Sequence, residues 1–306
     1  MHRIAVLGTI TRDTVIYPDA RKIESFGGIL YNILALSYLG KGNVQIYPIC
    51  NLGYDAYDSV LGILKECKNV RTEGIKKVRV RNNHNLLLYD QKGNREEISK
   101  NSVPQLTYSQ AKSFLDCDVI LVNFISGKDL DLKTLKKLRR SATGLIFMDV
   151  HSFILGRRKN GRRFVKVPGN WKAWISCADI VQCNFSELEE LSGKKLARFG
   201  QIKSFARSLL ASRIKTLLVT KGEEKGYVFQ AGKKGIKFNR SIVPKIKKVK
   251  GLTGCGDVFS AGFLISYSRS KDPVLSANFA NSVATNKCRF LGIERLSELL
   301  SQRLNF

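Results

Sequence analysis

The residues with the clearest chemistry are four consecutive ones late in the chain, Gly254-Cys255-Gly256-Asp257. The apolar run after them, Val258 to Tyr267, predicts a buried helix that starts at this glycine-rich turn. Unpaired N–H groups at a helix start attract an anion, and glycines let it approach closely. Asp257 has the wrong charge to bind phosphate. Its position beside an anion site therefore favours a role as a general base, which takes a proton from a hydroxyl as that oxygen attacks phosphorus. A tight turn with an N-capping aspartate is the alternative.

This segment resembles the signature of a known enzyme family. Thr253 to Phe259, followed by Ala261-Gly262-Phe263, is similar to the late motif of the ribokinase family of sugar and nucleoside kinases, also called the phosphofructokinase-B family. In that family the loop is an anion hole for the transferred phosphoryl group, and the aspartate is the catalytic base. The resemblance therefore implies an anion hole at Gly254, Cys255 and Gly256 and a base at Asp257.

The resemblance spans nearly the entire chain and implies an activity. We expect an ATP-dependent kinase that uses Mg²⁺ and transfers the γ-phosphoryl group to a hydroxyl of a sugar, a nucleoside or a related polyol. The alternative is a catalytically inactive kinase fold that binds nucleic acid or a sugar ligand. The net charge of +27 motivates it, because a strongly basic protein attracts nucleic acid without sequence preference. The presence of Asp257, Asn184 and Glu187 argues against it.

Two early segments resemble the family's sugar-binding residues. Asp13 closely follows the first predicted strand, Arg3 to Leu7, at the edge where parallel sheets bind ligands. Gly28 opens an apolar helix and is followed by Asn32, as in the family's Gly-Gly-x-x-x-Asn segment. The resemblance implies that Asp13, Gly28 and Asn32 contact substrate hydroxyl groups. A turn aspartate and a plain loop-to-helix junction are the alternatives.

Three later segments resemble the family's metal and nucleotide site. Asn184 and Glu187 are three residues apart at the start of a predicted helix, and in the family this pair organises the magnesium on the nucleotide phosphates. Without the resemblance, the pair would be an N-cap with an acidic first turn. Thr220 and Gly222, after a predicted strand, and Asn281, on a helix of small residues, are the candidate nucleotide contacts. Helix packing is the alternative for Asn281.

One departure from the family pattern concerns a monovalent cation. The family usually begins the late motif with Asp-Thr-Thr, whose aspartate helps to bind a potassium-like ion. This chain has Gly251, Leu252 and Thr253 at those positions. The lost carboxylate puts activation by a monovalent cation in question. Cys255 replaces the usual alanine, a minor change because the backbone N–H carries the role.

Apolar strands alternate with helices, which predicts a parallel sheet covered on both faces. Together with the resemblance, this implies one Rossmann-like, three-layer α/β/α (ribokinase-like) domain over residues 1–306. Residues 76–100 differ, because alternating stretches around a turn predict antiparallel hairpins. By resemblance, this insertion and residues of about 14–26 form a small β-sheet lid that excludes water. An exposed lid sheet could pair with another subunit, so the oligomeric state stays open, with a homodimer through the lid as one form.

Composition narrows the class of protein. No stretch approaches the roughly 20 apolar residues of a membrane span, so we expect a cytoplasmic protein without a membrane partner. Seven cysteines without a Cys-x-x-Cys pair indicate reduced thiols and no structural zinc site.

The basic loop 157–166 follows the strand that ends at Asp149, and we hypothesise that it recognises a phosphate or carboxylate of the substrate. A solvated basic surface is the alternative there, and His151 could be a substrate contact or a structural residue.

Overall fold

The structure is a computed structural model that describes residues 1–92, 95–232, 235–246 and 249–300. Three parts of the sequence predictions lie outside the described residues. They are the tip of the predicted lid hairpin at 93–94, residues 247–248 in the lysine-rich stretch 245–250 that adds to the net charge, and the end of the predicted domain at 301–306.

Strands and helices alternate through most of the described chain. The strands are β1 His2–Leu7, β2 Ile10–Ile16, β3 Lys22–Gly28, β4 Val44–Gly53, β5 Ile75–Val78, β6 His84–Tyr89, β7 Arg95–Lys100, β8 Val119–Asn123, β9 Leu145–Asp149, β10 Leu155–Arg157, β11 Arg163–Val165, β12 Ile180–Asn184, β13 Thr216–Thr220, β14 Gly226–Gly232 and β15 Gly235–Ser241. The helices are α1 Ile29–Leu39, α2 Tyr57–Lys65, α3 Tyr108–Ala111, α4 Leu132–Ser141, α5 Trp171–Ile175, α6 Phe185–Ser192, α7 Phe199–Leu210, α8 Cys255–Ser270 and α9 Pro273–Lys287.

The central sheet has nine strands in the order β15-β14-β13-β12-β9-β8-β1-β4-β5. The strands from β13 to β5 pair in parallel, and β14 and β15 continue the sheet as an antiparallel ribbon. In β1, Ile4 and Val6 face one apolar core while Ala5 and Leu7 face the other. Helices α1, α2, α8 and α9 contribute to the first core, and α3 to α7 contribute to the second. This arrangement confirms the predicted three-layer α/β/α class.

A second, smaller sheet forms the lid, with strands in the order β3-β2-β6-β7. Its two segments differ from the predicted ones, which were about 14–26 and 76–100. The first segment consists of β2 and β3 and already begins at Ile10, and the second consists of β6 and β7 and begins only at His84. Residues 76–78, predicted to belong to the lid, instead lie in β5, which pairs with β4 at the edge of the large sheet. Alternation along a strand indicates that one face is buried, but the same pattern fits either sheet.

Helix α4 begins three residues after the buried Asp129. It starts at Leu132 after Asp131, whose carboxylate accepts the N–H of Thr134 at 2.7 Å. The side chain of Asp129 is buried and instead accepts the N–H groups of Ser126 and Gly127 and the hydroxyl of Thr9. Asp129 therefore supports the loop after β8.

The basic loop 157–166 folds as the β10–β11 hairpin and packs against β7 of the lid. The N–H of Ser99 donates to the carbonyl of Gly161 at 2.9 Å, and Arg162 pairs with Glu96. Arg157 donates to the carbonyl of Asn101 at 2.9 Å. Arg163 lies 3.8 Å from the carboxylate of Glu97, so three of the four arginines in this loop contact the lid or the residue that follows it.

No helix in the described ranges is both long and apolar enough to cross a membrane. All seven cysteines are free thiols, and five of them are buried.

Candidate active site

A cavity of about 290 Å³ lies between the lid and the carboxyl ends of β9, β12 and β13. Eight of the twelve predicted site residues line it: Asp13, Gly28, Asn184, Glu187, Thr220, Gly254, Gly256 and Asp257. Four lie outside its lining: Asn32, Cys255, Gly222 and Asn281. The cavity brings the late glycine loop, the lid and the start of α6 to one place.

The start of α8 has the geometry of an anion site. Gly254 is its N-cap with φ of 80°, and a Cβ there would lie 2.6 Å from the Tyr31 ring. The first intrahelical bond joins the N–H of Val258 to the carbonyl of Gly254, so the N–H groups of Gly256 and Asp257 precede it. The N–H of Cys255 donates to the carbonyl of Leu252 at 3.1 Å and closes the turn. The N–H predicted at Cys255 for the anion hole is thus already used.

Two asparagines hold Asp257 in place. Nδ2 of Asn123 donates to Oδ1 of Asp257 at 2.7 Å and to Oδ1 of Asn32 at 2.9 Å. Nδ2 of Asn32 donates to the backbone carbonyl of Asp257 at 2.8 Å. Asn32 is fully buried, so its place in this structure is beneath Asp257 and not among the groups that line the cavity.

Burial raises the pKa of Asp257 above the ordinary aspartate value. The charges of His151 and Lys287 and the hydrogen bond from Asn123 oppose that shift. His151 lines the cavity, and its φ of 34° is unusual for a residue with a side chain. The result is a carboxylate with a raised proton affinity at the centre of the site.

The lid supplies a row of polar side chains across three strands. Asp13 in β2 pairs with Asn85 in β6, and Asn85 pairs with Ser99 in β7. Nδ2 of Asn85 donates to Asp13 at 3.2 Å, and the Ser99 hydroxyl donates to Asn85 at 2.9 Å. Burial raises the pKa of Asp13 to about 6. A Cβ at Gly27 would overlap the Asp13 carboxylate, so only glycine fits beside it.

A second network ties the glycine loop to β9 and β12. Oδ2 of the buried Asp149 accepts Nε2 of Gln182 at 3.1 Å and the hydroxyl of Ser260 at 3.0 Å. Gln182 also donates to the carbonyl of Gly256 at 3.1 Å. Burial raises the pKa of Asp149 to about 8, and the carboxylates of Glu187 and Asp257 add to that shift.

Asn184 and Glu187 form a reciprocal cap at the start of α6. Oδ1 of Asn184 accepts the N–H of Glu187 at 2.8 Å, while Glu187 accepts the N–H and the Nδ2 of Asn184 at 2.8 and 2.7 Å. Both also line the cavity, so the cap and a role in the site are compatible. Burial raises the pKa of Glu187 to about 7, and Asp257 adds to the shift.

The three residues predicted to contact the nucleotide lie in different surroundings. Thr220 at the end of β13 lines the cavity, and Gly222 lies in the following turn with φ of 54°. Asn281 is buried, and its Nδ2 donates to the Ser241 hydroxyl at 3.0 Å and to the carbonyl of Ile242 at 2.9 Å. These bonds join α9 to the end of β15, so Asn281 has a packing role in this structure, and its contact with a nucleotide stays a prediction.

The chain was compared with protein families, and the family model for pfkB family carbohydrate kinases matches residues 25–292. The chain belongs to that family. The cytidine kinase of Thermococcus kodakarensis is 22% identical over 301 residues, 98% of this chain and 96% of that protein. The membership confirms the resemblance of the late glycine motif and makes this protein a kinase by family.

Solved structures of the family share its fold. A pyrophosphate-dependent kinase in the ribokinase family has a TM-score of 0.80 at 18% identity, covering 97% of this chain and 99% of its own. Arabidopsis thaliana ribokinase, solved with ribose and ATP, has a TM-score of 0.74 at 18% identity, covering 98% and 99%. At these identities the likeness concerns the ribokinase fold alone.

Sequence reasoning missed several residues that line the cavity or lie beneath it. Asn123, Asn85 and Gln182 are the most informative of them, since each donates to a carboxylate of the site. Asn123 is the last residue of β8, and a polar residue that ends an apolar strand was the available signal. Asn85 had no such signal, because the register of the lid sheet decides which residue lies opposite Asp13.

Proposed function

We propose that this kinase transfers the γ-phosphoryl group of ATP to a hydroxyl of a sugar, a nucleoside or a related polyol, with Asp257 as the general base. One observation carries the proposal: the Asp257 carboxylate, held by Asn123, lines the same cavity as the start of α8. Attack of a hydroxyl on phosphorus needs a proton acceptor and donors for phosphoryl oxygens. The full-length likeness to a cytidine kinase supports an acceptor with ribose-like hydroxyl groups.

Each part of the cavity has a role in this reaction. The lid row of Asp13 and Asn85 binds acceptor hydroxyl groups and places one of them beside Asp257. Asp257 takes the proton of that hydroxyl as its oxygen attacks, and its raised pKa makes it a stronger proton acceptor than an ordinary aspartate. The N–H groups of Gly256 and Asp257 stabilise the oxygens of the transferred group.

Asn184 and Glu187 fit a magnesium ion that is bound largely through water and phosphate oxygens. Glu187 and Asp149 are hard oxygen donors whose raised pKa values arise partly from neighbouring carboxylates, and a divalent cation would relieve that repulsion. Among the described residues no group of three His, Cys, Asp or Glu side chains could hold a metal directly. Bound there, the ion would neutralise phosphate charge.

The test is acceptor-dependent turnover. ADP release is measured with Mg²⁺ and ATP across sugars, sugar phosphates, nucleosides and polyols, and phosphate release is measured with pyrophosphate as the donor. We expect ATP-dependent turnover with one acceptor class, abolished in Asp257→Asn. Turnover with pyrophosphate alone would overturn the donor assignment. A folded protein without turnover on any acceptor, but with salt-dependent retention of nucleic acid, would favour the inactive binding protein.

A further inference from the structure

Lys287, at the end of α9, is a buried ammonium that the proposed reaction has not used. The residue is 1% exposed, although lysines are almost never fully buried without a charged partner. Within the described ranges no carboxylate forms an ion pair with it. Its Nζ donates to the carbonyl of Phe290 at 3.2 Å and lies 5.3 Å from the centroid of the Tyr31 ring. Burial lowers its pKa, and the Asp257 carboxylate and nearby thiols oppose that shift.

These contacts place the ammonium behind the glycine loop. Tyr31, whose ring lies below Lys287 Nζ, is the side chain that a Cβ at Gly254 would meet. The turn after α9 also holds the segment before α8, because the carbonyl of Cys288 accepts the N–H of Lys250 at 2.8 Å and that of Gly251 at 3.3 Å. Lys287 therefore joins the turn after α9 to the residues that support Gly254.

The geometry at Gly251 explains why an ammonium fits here. A Cβ at position 251 would lie 2.6 Å from Cδ2 of Leu291 and 3.6 Å from the carbonyl oxygen of Phe290, the oxygen that Lys287 binds. A side chain at 251 and the Lys287 ammonium would thus meet at one carbonyl. This chain has no side chain at Gly251, and the Lys287 ammonium binds the carbonyl that such a side chain would approach. A potassium-like ion would have to compete with the Lys287 ammonium for the Phe290 carbonyl, and Gly251 offers no carboxylate to bind it.

We propose that Lys287 is a positioning residue that acts as a built-in cation, so that this kinase works without a monovalent metal ion. The proposal rests on the phosphoryl transfer proposed above. The ammonium holds the turn after α9 in a fixed position against the loop before α8. Its charge favours negative charge at the start of α8. It touches neither acceptor nor donor and acts through Tyr31 and the backbone.

The experiment compares the native kinase with Lys287→Ala in buffers of tetramethylammonium, potassium, ammonium or methylammonium ions at equal ionic strength. The native kinase should turn over equally in all of them. Lys287→Ala should lose kcat by about tenfold or more, with acceptor KM little changed, because an electrostatic support of the anion site is lost. Potassium, ammonium or methylammonium should restore part of kcat by filling the vacated position.

Lys271→Ala is the matched control, because Lys271 also lies over a tyrosine ring, 5.8 Å from the Tyr267 centroid, but is exposed. It should retain native kcat and show no response to cations. Lys287→Met, which nearly keeps the side-chain volume, replaces Lys287→Ala if that variant does not fold. A native kinase that requires potassium, or a Lys287 variant with native kcat in tetramethylammonium, would overturn the proposal.

Thermal unfolding in the same buffers separates this inference from the proposed function. The native protein should have the same Tm with potassium and with tetramethylammonium, whereas the Lys287 variant should gain Tm with potassium. This result is independent of turnover, so a protein that is inactive on every acceptor would overturn the proposed reaction alone. A potassium-dependent rise in the native Tm would contradict the built-in cation whether or not the protein is active.

Discussion

At the scale of single residues, Asn123 decides where the Asp257 carboxylate points. Its one Nδ2 group donates to both Asp257 and Asn32, and its Oδ1 has no hydrogen-bond partner among the described residues. The hydrogen bond from Asn123 also lowers the proton affinity of Asp257 against the effect of burial. The residue therefore controls both the direction and the protonation of the proposed base.

Asn123→Ala should reduce kcat by about tenfold to a hundredfold, because the base loses its orientation. It should also raise the pKa of Asp257, since a hydrogen bond to the charged form is removed. A base works only when ionised, so activity falls as pH drops through its pKa, and the acid limb of kcat/KM should move to higher pH. Measurement of kcat/KM against pH checks both effects, and an unchanged acid limb would contradict this role.

The late motif made Asp257 and its loop predictable, because glycines, an acidic residue and an apolar helix are contiguous in sequence. The support of that residue was not predictable in the same way. Asn32 and Asn123 are 91 positions apart, and only the fold brings them under Asp257. Asn32 matched a family pattern, yet its amide bonds the backbone of Asp257, 225 positions away.

At the scale of elements, the β10–β11 hairpin links the large sheet to the lid. The side chain of its Arg163 is only 6% exposed, donates to the carbonyl of Ser126 at 2.8 Å, and lies 3.8 Å from the carboxylate of Glu97, which lines the cavity. Its Nε and Nη2 have no hydrogen-bond partner among the described residues. Arg158, by contrast, stacks on Phe164 at the surface of the hairpin. The four arginines of the basic loop are thus unlike in their surroundings.

Arg163→Ala should lower the free energy of unfolding by about 1–3 kcal/mol, because a buried hydrogen bond and its packing are lost. It should also raise the acceptor KM, since Glu97 loses the charge beside it. Arg158→Ala is the control and should change neither quantity. Denaturant unfolding and acceptor kinetics on both variants measure the effects. Equal behaviour of the two variants would mean that the basic loop acts only as a solvated surface.

Apolar runs and their spacing predicted the strands of the large sheet. They did not predict which strands belong to the lid or how the lid strands pair. Residues 75–78 have the alternation of a lid strand, but Ile75 is buried beside Cys50 of β4 and extends the large sheet. The pairing of β2 with β6 is parallel, which a prediction of simple hairpins misses. Long-range pairing decides such cases, and local patterns carry little information about it.

At the scale of the whole molecule, the site concentrates buried carboxylates in a protein of net charge +27. Burial raises the pKa of Asp13 to about 6, of Glu187 to about 7 and of Asp149 to about 8. Each group binds its proton more tightly in the native state than in the unfolded chain. Their contribution to stability is therefore complete below their unfolded pKa values of about 4 and is lost as pH rises to about 8.

Asp149→Asn removes the largest of these three pKa shifts and should therefore stabilise the protein more at pH 8 than at pH 5. Calorimetric Tm values of variant and native protein across that range measure the difference. Asp131→Ala is a control of opposite sign, because the N–H of Thr134 lowers the pKa of Asp131. Its destabilisation should be present at neutral pH and shrink as pH falls through that lowered pKa. A difference for Asp149→Asn that does not depend on pH would contradict the native-state burial of its charge.

The most direct test of the proposed reaction is the turnover of Asp257→Asn with the acceptor found for the native kinase. Asparagine keeps the shape of the side chain but cannot take the proton, so kcat should fall by about 10²–10⁴. The affinity for ATP with Mg²⁺, measured by calorimetry, should stay close to the native value, and Tm should not fall. Turnover of the folded variant within about threefold of native would contradict Asp257 as the general base.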